Sequence, residues 1–324
     1  MKKALVPLLV LVSVIVIAIV VFAEFSSSRP GRRPANPFAW SVDEFRPVDS
    51  ELIRWQETGQ ISLGEETPSA FAYHDQKFYL AFPGEVQVIS RDGVRLQRIP
   101  LASAPSAIAV TPGGEIVAAL GERLVMFDRE GNMIRESGPV GEAGFLASVA
   151  VLDDRIYVAD GSRRRVVILD DALEHVGDFA GESGVSDVHG FIVPGAEFSL
   201  AVCPENRLWA TNPGLHALQN YTPDGRLRSW IRNSSFGIEG FSGCCNPSHF
   251  TFLPTGEFVT SEKGIIRIKV VSESGEIESV VAPPDKFERG RTAPAVASDE
   301  NGNVLALDFD RNMIRIFERD IKEI

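Results

Sequence analysis

The 324-residue chain predicts an all-β fold: a six-bladed β-propeller behind an N-terminal transmembrane or signal helix. Three observations predict the propeller. The run from Pro105 to Gly138 reads as four short apolar strands, SAIAV, EIVAAL, LVMFD and MIRES, separated by Gly-, Pro- and Asn-containing turns. The pattern recurs from Pro68, Pro105, Leu146, Glu197, Pro247 and Ala293, at intervals of 37, 41, 51, 50 and 46 residues. A period of that size with four strands per unit is the signature of propeller blades. The sixth unit stops after its third strand, MIRIF, whereas residues 52–63, LIRWQETGQISL, form a spare strand ahead of the first unit. Pairing the two closes the ring and removes the open sheet edges that invite aggregation.

Taken in order, Lys2 and Lys3 precede an uncharged apolar run over residues 4–23. About twenty such residues suffice to span a bilayer core, and the leading lysines favour a cytoplasmic N-terminus. Residues 1–24 are therefore read as a signal anchor or transmembrane helix, with a cleaved signal peptide ending at Ala23 as the alternative. Either way the propeller is expected outside the cytoplasm, on the periplasmic side of the membrane. Residues 25–50 begin Ser-, Pro- and Arg-rich without periodicity, as a linker does. The propeller takes residues 51–324. A net charge of −12 argues against a nucleic-acid partner, and three cysteines do not make a disulfide scaffold.

Two units, VADGSRRRVVILD (158–170) and ALDFDRNMIRIFE (306–318), resemble the NHL-repeat motif, with an Asp closing the second strand and an Arg ahead of the third. The other units carry Phe82, Leu120, Asn212 and Ser261 near the Asp position. The chain resembles the NHL-repeat six-bladed propellers, of a membrane-anchored bacterial type with a Gly-Cys-Cys-Asn-Pro-x-His loop. The resemblance implies a structural role for Asp160 with Arg163 and for Asp308 with Arg311. It also implies an interaction platform, since NHL-like propellers often serve as one. Relatives include zinc-holding amidating lyases, a role that His189, His216 and His249 would have to imitate.

Two long excursions break the period: residues 181–196 ahead of blade four and residues 233–246 ahead of blade five. Loops of this length in a compact repeat are often functional. Strand direction places His189, Asn212, His216, Cys244, Cys245, Asn246, His249, Glu262 and Lys263 on one face, here the top, around these two blades. Cys203 falls eight alignment positions from the place equivalent to Cys245, roughly 26 Å along a strand.

Adjacent cysteines followed by Asn246, Pro247 and His249 are the most specific chemical signal. Three readings compete: a vicinal Cys244–Cys245 disulfide, a soft-metal site for Cu or Zn using Cys244, Cys245, His249 and His216, and small residues packing a turn. Glu262 with Lys263 is either an acid–base pair at the channel mouth or a solvated turn. The sequence lacks the Cys-x-x-Cys-His, His-Glu-x-x-His, P-loop and Gly-x-Ser-x-Gly patterns. The functional expectation is a membrane-tethered module binding a protein partner or small ligand on the top face. The alternative is an exported enzyme or redox or metal-handling protein.

Overall fold

A computed structural model describes residues 11–22, 41–140, 145–182, 190–289 and 292–320. The chain divides into a unit spanning Met1–Glu44 and a unit spanning Phe45–Ile324. In the first, residues 11–22 are helical. Among the described residues no helix is long and apolar enough to cross a membrane, and the rest of the expected span, residues 4–10 and 23, lies outside them.

In the second unit, the described residues form six four-stranded antiparallel sheets, the blades of a propeller. Five blades run in chain order from an inner to an outer strand. The inner strands are Ala70–His74, Ala107–Val110, Leu146–Leu152, Leu200–Val202, His249–Phe252 and, in blade six, Ala295–Ser298. Each inner strand packs beside those of the neighbouring blades, so together they ring a central channel. The second strands, such as Leu208–Asn212 and Phe258–Glu262, are buried along their whole length because both faces meet adjoining blades. In blade two the second strand accordingly reads as an apolar run, IVAAL, whereas outer strands such as Met133–Glu136 are exposed throughout.

Blade six is completed from the N-terminal side, where Trp55–Ser62 pairs antiparallel with Met313–Arg319, from Trp55 opposite Arg319 to Ser62 opposite Met313, with a shift of register between Glu57 and Gly59. This is the closure the spare strand predicted. It is reinforced by a buried ion pair: Arg315 Nη2 donates to Glu57 at 2.7 Å and Nη1 to Asp308 at 3.2 Å. The guanidinium lies between the rings of Phe287 and Phe317, at 4.9 and 5.2 Å.

Neighbouring blades are also latched at the channel wall. The Ser106 hydroxyl donates to the Leu146 carbonyl at 2.8 Å, and the Ser148 hydroxyl accepts from the Leu200 amide at 3.1 Å. Asp160 and Asp308 accept the backbone amides of Arg163 and Arg311, each at 3.1 Å, bracing the link between second and third strands. The strand register places Glu262, paired with Arg267, where Asp160 and Asp308 stand, one position beyond Ser261.

Candidate functional site

The residues expected to form one top-face patch divide into a buried frame and two cavities. The frame begins at the last residue of each second strand. In blade four, Asn212 is fully buried; its side chain accepts from the Ile192 amide at 2.9 Å and donates to the Gly190 carbonyl at 2.9 Å. It thereby pins the end of the first excursion. In blade five, Glu262 accepts from Arg267 Nε and Nη2 and from Lys269 Nζ, all at 2.9 Å, and all three side chains are fully buried. Arg267 also donates to the carbonyls of Gly237 and Gly240 at 2.8 and 2.9 Å, and Lys269 to that of Ile238 at 2.9 Å. The second excursion is thus wound around a buried ionic hub. Asn246 ties the same loop to the strand link, exchanging hydrogen bonds with the Lys263 backbone at 2.9 Å in both directions.

Burial alone would push the Glu262 carboxyl up, but Lys269 and Arg267 outweigh it and hold it below the usual range. Lys269 is pulled down to about 8, mainly by burial and despite Glu262. Glu262 and Lys263 therefore do not act as a pair. Glu262 turns into the hub, whereas Lys263 donates to Glu197 at 2.6 Å.

The first cavity, of about 570 Å³, is the central channel. Its wall is mostly alanine, serine, threonine and apolar residues; among the described residues its titratable side chains are Glu197 and His249. The sequence reading missed Glu197, which stands one residue beyond an excursion and looks like the start of a strand. Its signal is local: a Cβ on Gly195 would collide with the Glu197 carboxylate and touch Cys245 Sγ, so glycine permits their approach. His249 is partly open to the lumen yet lies deep in the ring, and burial holds its imidazole neutral, pushed down to about 4. Buried Cys245 sits beside Lys263, and burial together with its contact to Cys244 pushes the thiol up to about 11. Burial opposes the charge on Lys263, but its bond to Glu197 prevails and raises its pKa above the lysine value.

The second cavity is a recess of about 540 Å³ between the two excursions, lined by Ile192, Pro194, His216, Phe236, Phe241 and Cys244 among others. Ile192 and Phe236 remain 38% and 37% exposed there. The Phe236 ring leans on that of Phe45 at 5.4 Å between centroids. Cys244 is exposed, and its Sγ lies 3.3 Å from that of Cys245. The adjacent cysteines consequently divide, Cys244 facing the recess and Cys245 the protein interior.

No family model and no curated protein sequence matches the chain. Among solved structures, virginiamycin B lyase from Staphylococcus aureus is similar at 13% identity and TM-score 0.53, over 82% of this chain and 99% of that one. A protein of unknown function from Bacteroides thetaiotaomicron is similar at 14% identity and TM-score 0.57, over 82% and 75%. The WD40 domain of Pan2 from Neurospora crassa reaches TM-score 0.55 at 10% identity, over 86% and 99%. These likenesses carry the propeller fold alone.

The expected metal ligands do not converge. Among the described residues no three His, Cys, Asp or Glu side chains group to hold an ion. Both ring nitrogens of His216 are engaged, Nδ1 with the Ser234 hydroxyl at 2.7 Å and Nε2 with the Gly243 carbonyl. His249 faces the channel while Cys244 faces the recess. Among the described residues, Cys244, Cys245, His249 and His216 are not grouped as a Cu or Zn site. His189 lies outside the described residues. Cys203 is buried at the turn from the first to the second strand of blade four, where its amide donates to the Arg207 carbonyl at 3.0 Å.

Proposed function

We propose that this chain is a membrane-tethered, extracytoplasmic binding module that takes an apolar side chain of a partner protein in the recess between blades four and five. The observation that carries the reading is the recess itself. It is apolar, within the size of ligand sites, and walled by loops held in place by the Asn212 and Glu262 frame. Walls already ordered in the free protein lower the cost of binding, because little loop entropy remains to be lost. The acidic balance of the chain is consistent with a protein rather than a nucleic-acid partner.

A catalytic reading has less support. A general acid or base works best with a pKa near the working pH, and a nucleophilic cysteine needs its thiolate. His249, near 4, lies far below that pH, and Cys245, near 11, is mostly thiol and suited only to attack a sulfur already beside it. One structural neighbour is a lyase, but propellers host enzymes and binding modules alike, so that likeness does not choose between them.

Selection of random peptides on the immobilised protein tests the recess. Recovered peptides should carry an aromatic or large aliphatic residue and should lose at least tenfold in affinity for the Ile192→Ser, Phe236→Ala variant, an effect of about 1.4 kcal/mol. Peptides that bind the variant equally well would contradict it. The tether rests on Lys2, Lys3 and the uncharged run over residues 4–23. N-terminal sequencing of protein from the membrane fraction should find Met1 or Lys2, whereas a start at Glu24 would show cleavage.

A further inference from the structure

We propose that Cys244 and Cys245 form a reversible redox pair, closing to a vicinal disulfide by exchange with a low-molecular-weight disulfide and thereby reshaping the recess wall. The part concerning the recess rests on the binding role above; the chemistry of the pair does not.

The two Sγ atoms lie 3.3 Å apart, so a bond of about 2.05 Å requires them to approach by little more than an ångström. Adjacent Cα atoms are about 3.8 Å apart, shorter than the usual span across a disulfide, so the closed ring is strained and readily reduced. A bridge between neighbours also encloses almost no chain, and it constrains the unfolded state very little. Such a bond is a poor staple and a good switch.

The surroundings assign the order of events. Cys244 is exposed on the recess, whereas Cys245 is buried against Gly195, Glu197 and Lys263. The Cys244 thiolate attacks one sulfur of the small disulfide RSSR; a Cys244–SR bond forms, the S–S bond breaks and RS⁻ leaves, taking up the proton Cys244 lost. Cys245 then gives its proton to solvent and attacks Cys244 Sγ, with the Lys263 ammonium facing the transient thiolate. The Cys244–SR bond breaks, and the second RS⁻ departs to be protonated. Two thiols are oxidised by two electrons in all, and one RSSR is reduced to two RSH. Cys203 takes no part, being enclosed in the core between blades four and five.

Closure draws Cys244 Sγ from the recess towards Cys245. It also pulls on Gly243, whose carbonyl is held by His216 Nε2, and His216 in turn holds Ser234, which lines the same recess. The cysteine loop is therefore linked through two hydrogen bonds to His216 and Ser234, both of which line the recess.

The test uses the reduced full-length protein treated with oxidised glutathione, quenched in acid and analysed by mass and peptide mapping. The expected product is lighter by about 2 Da, the loss lies in the peptide carrying Cys244 and Cys245, and dithiothreitol reverses it. The Cys245→Ser variant should instead keep a glutathione adduct on Cys244. A lasting adduct on the unaltered protein, no reaction, or a bond involving Cys203 would overturn the pair. Hydrogen exchange of the oxidised and reduced forms reads the coupling without any ligand: amides over residues 233–246 should change their exchange rates at least threefold. Unchanged rates there would overturn the effect on the recess while leaving the disulfide standing, and failure to recover peptides would bear on the binding role alone.

Discussion

Replacing Glu262 by Gln removes one negative charge from a fully buried cluster and leaves Arg267 and Lys269 facing each other. The carboxylate now accepts three bonds of 2.9 Å from these cations and one of 3.3 Å from the Ser242 amide. A glutamine keeps a single acceptor oxygen and turns an amide donor towards a guanidinium. Removing one partner of a buried ion pair costs about 3–5 kcal/mol. At roughly 2–4 °C per kcal/mol for a domain of this size, Tm should fall by about 10 °C. The deficit should also depend on pH in a stated direction. Lys269 titrates near 8 in the folded protein, so above that pH it is neutral and no longer needs Glu262. The gap between Glu262→Gln and the unaltered protein should accordingly narrow between pH 7 and pH 9. Differential scanning calorimetry at both values measures it. A Tm within 2 °C of the unaltered protein at pH 7, or a gap that widens at pH 9, would refute the hub as the support of the loop.

Ring closure predicts that deleting residues 41–62 lowers Tm by more than 10 °C, since it exposes the edge of Met313–Arg319 and strands Arg315; an unchanged melting curve would count against it. Asn212→Ala should cost about 1–3 kcal/mol and speed hydrogen exchange around Ile192, because a buried amide and carbonyl lose their partner; exchange limited to other loops would contradict the role assigned to it. His249 has a folded pKa below its unfolded value of 6.5, so it binds fewer protons folded than unfolded between about pH 4 and 6.5. The stability it leaves intact above 6.5 is lost as pH falls towards 4. His249→Gln should therefore flatten the acid limb of the Tm profile by about 1–2 kcal/mol, allowing for water in the lumen, and an identical limb would show that another group governs it.

Much of this architecture is legible in the chain because blades impose a period. The apolar runs that become second strands must be buried on both faces, and the spare strand at residues 52–63 has one open edge to meet. The site is less legible because side-chain roles depend on which direction a residue turns. Glu262 and Lys263 are neighbours in sequence, yet one enters a buried hub and the other reaches to Glu197, sixty-six positions away. Arg267 and Lys269 read as the alternate residues of an ordinary strand; only the carbonyls of the excursion packed over them reveal what they hold. Cys244 and Cys245 mark the right loop by their rarity. That one of them faces the recess and the other is buried depends on how the loop turns, which no spacing rule conveys.

Soaking crystals of the protein in small aromatic fragments tests the binding role most directly. The account predicts fragment density in the recess between Ile192 and Phe236, lost in the Ile192→Ser, Phe236→Ala variant, with the channel around Glu197 and His249 left to water. Fragments that gather in the channel and leave the recess empty would contradict it.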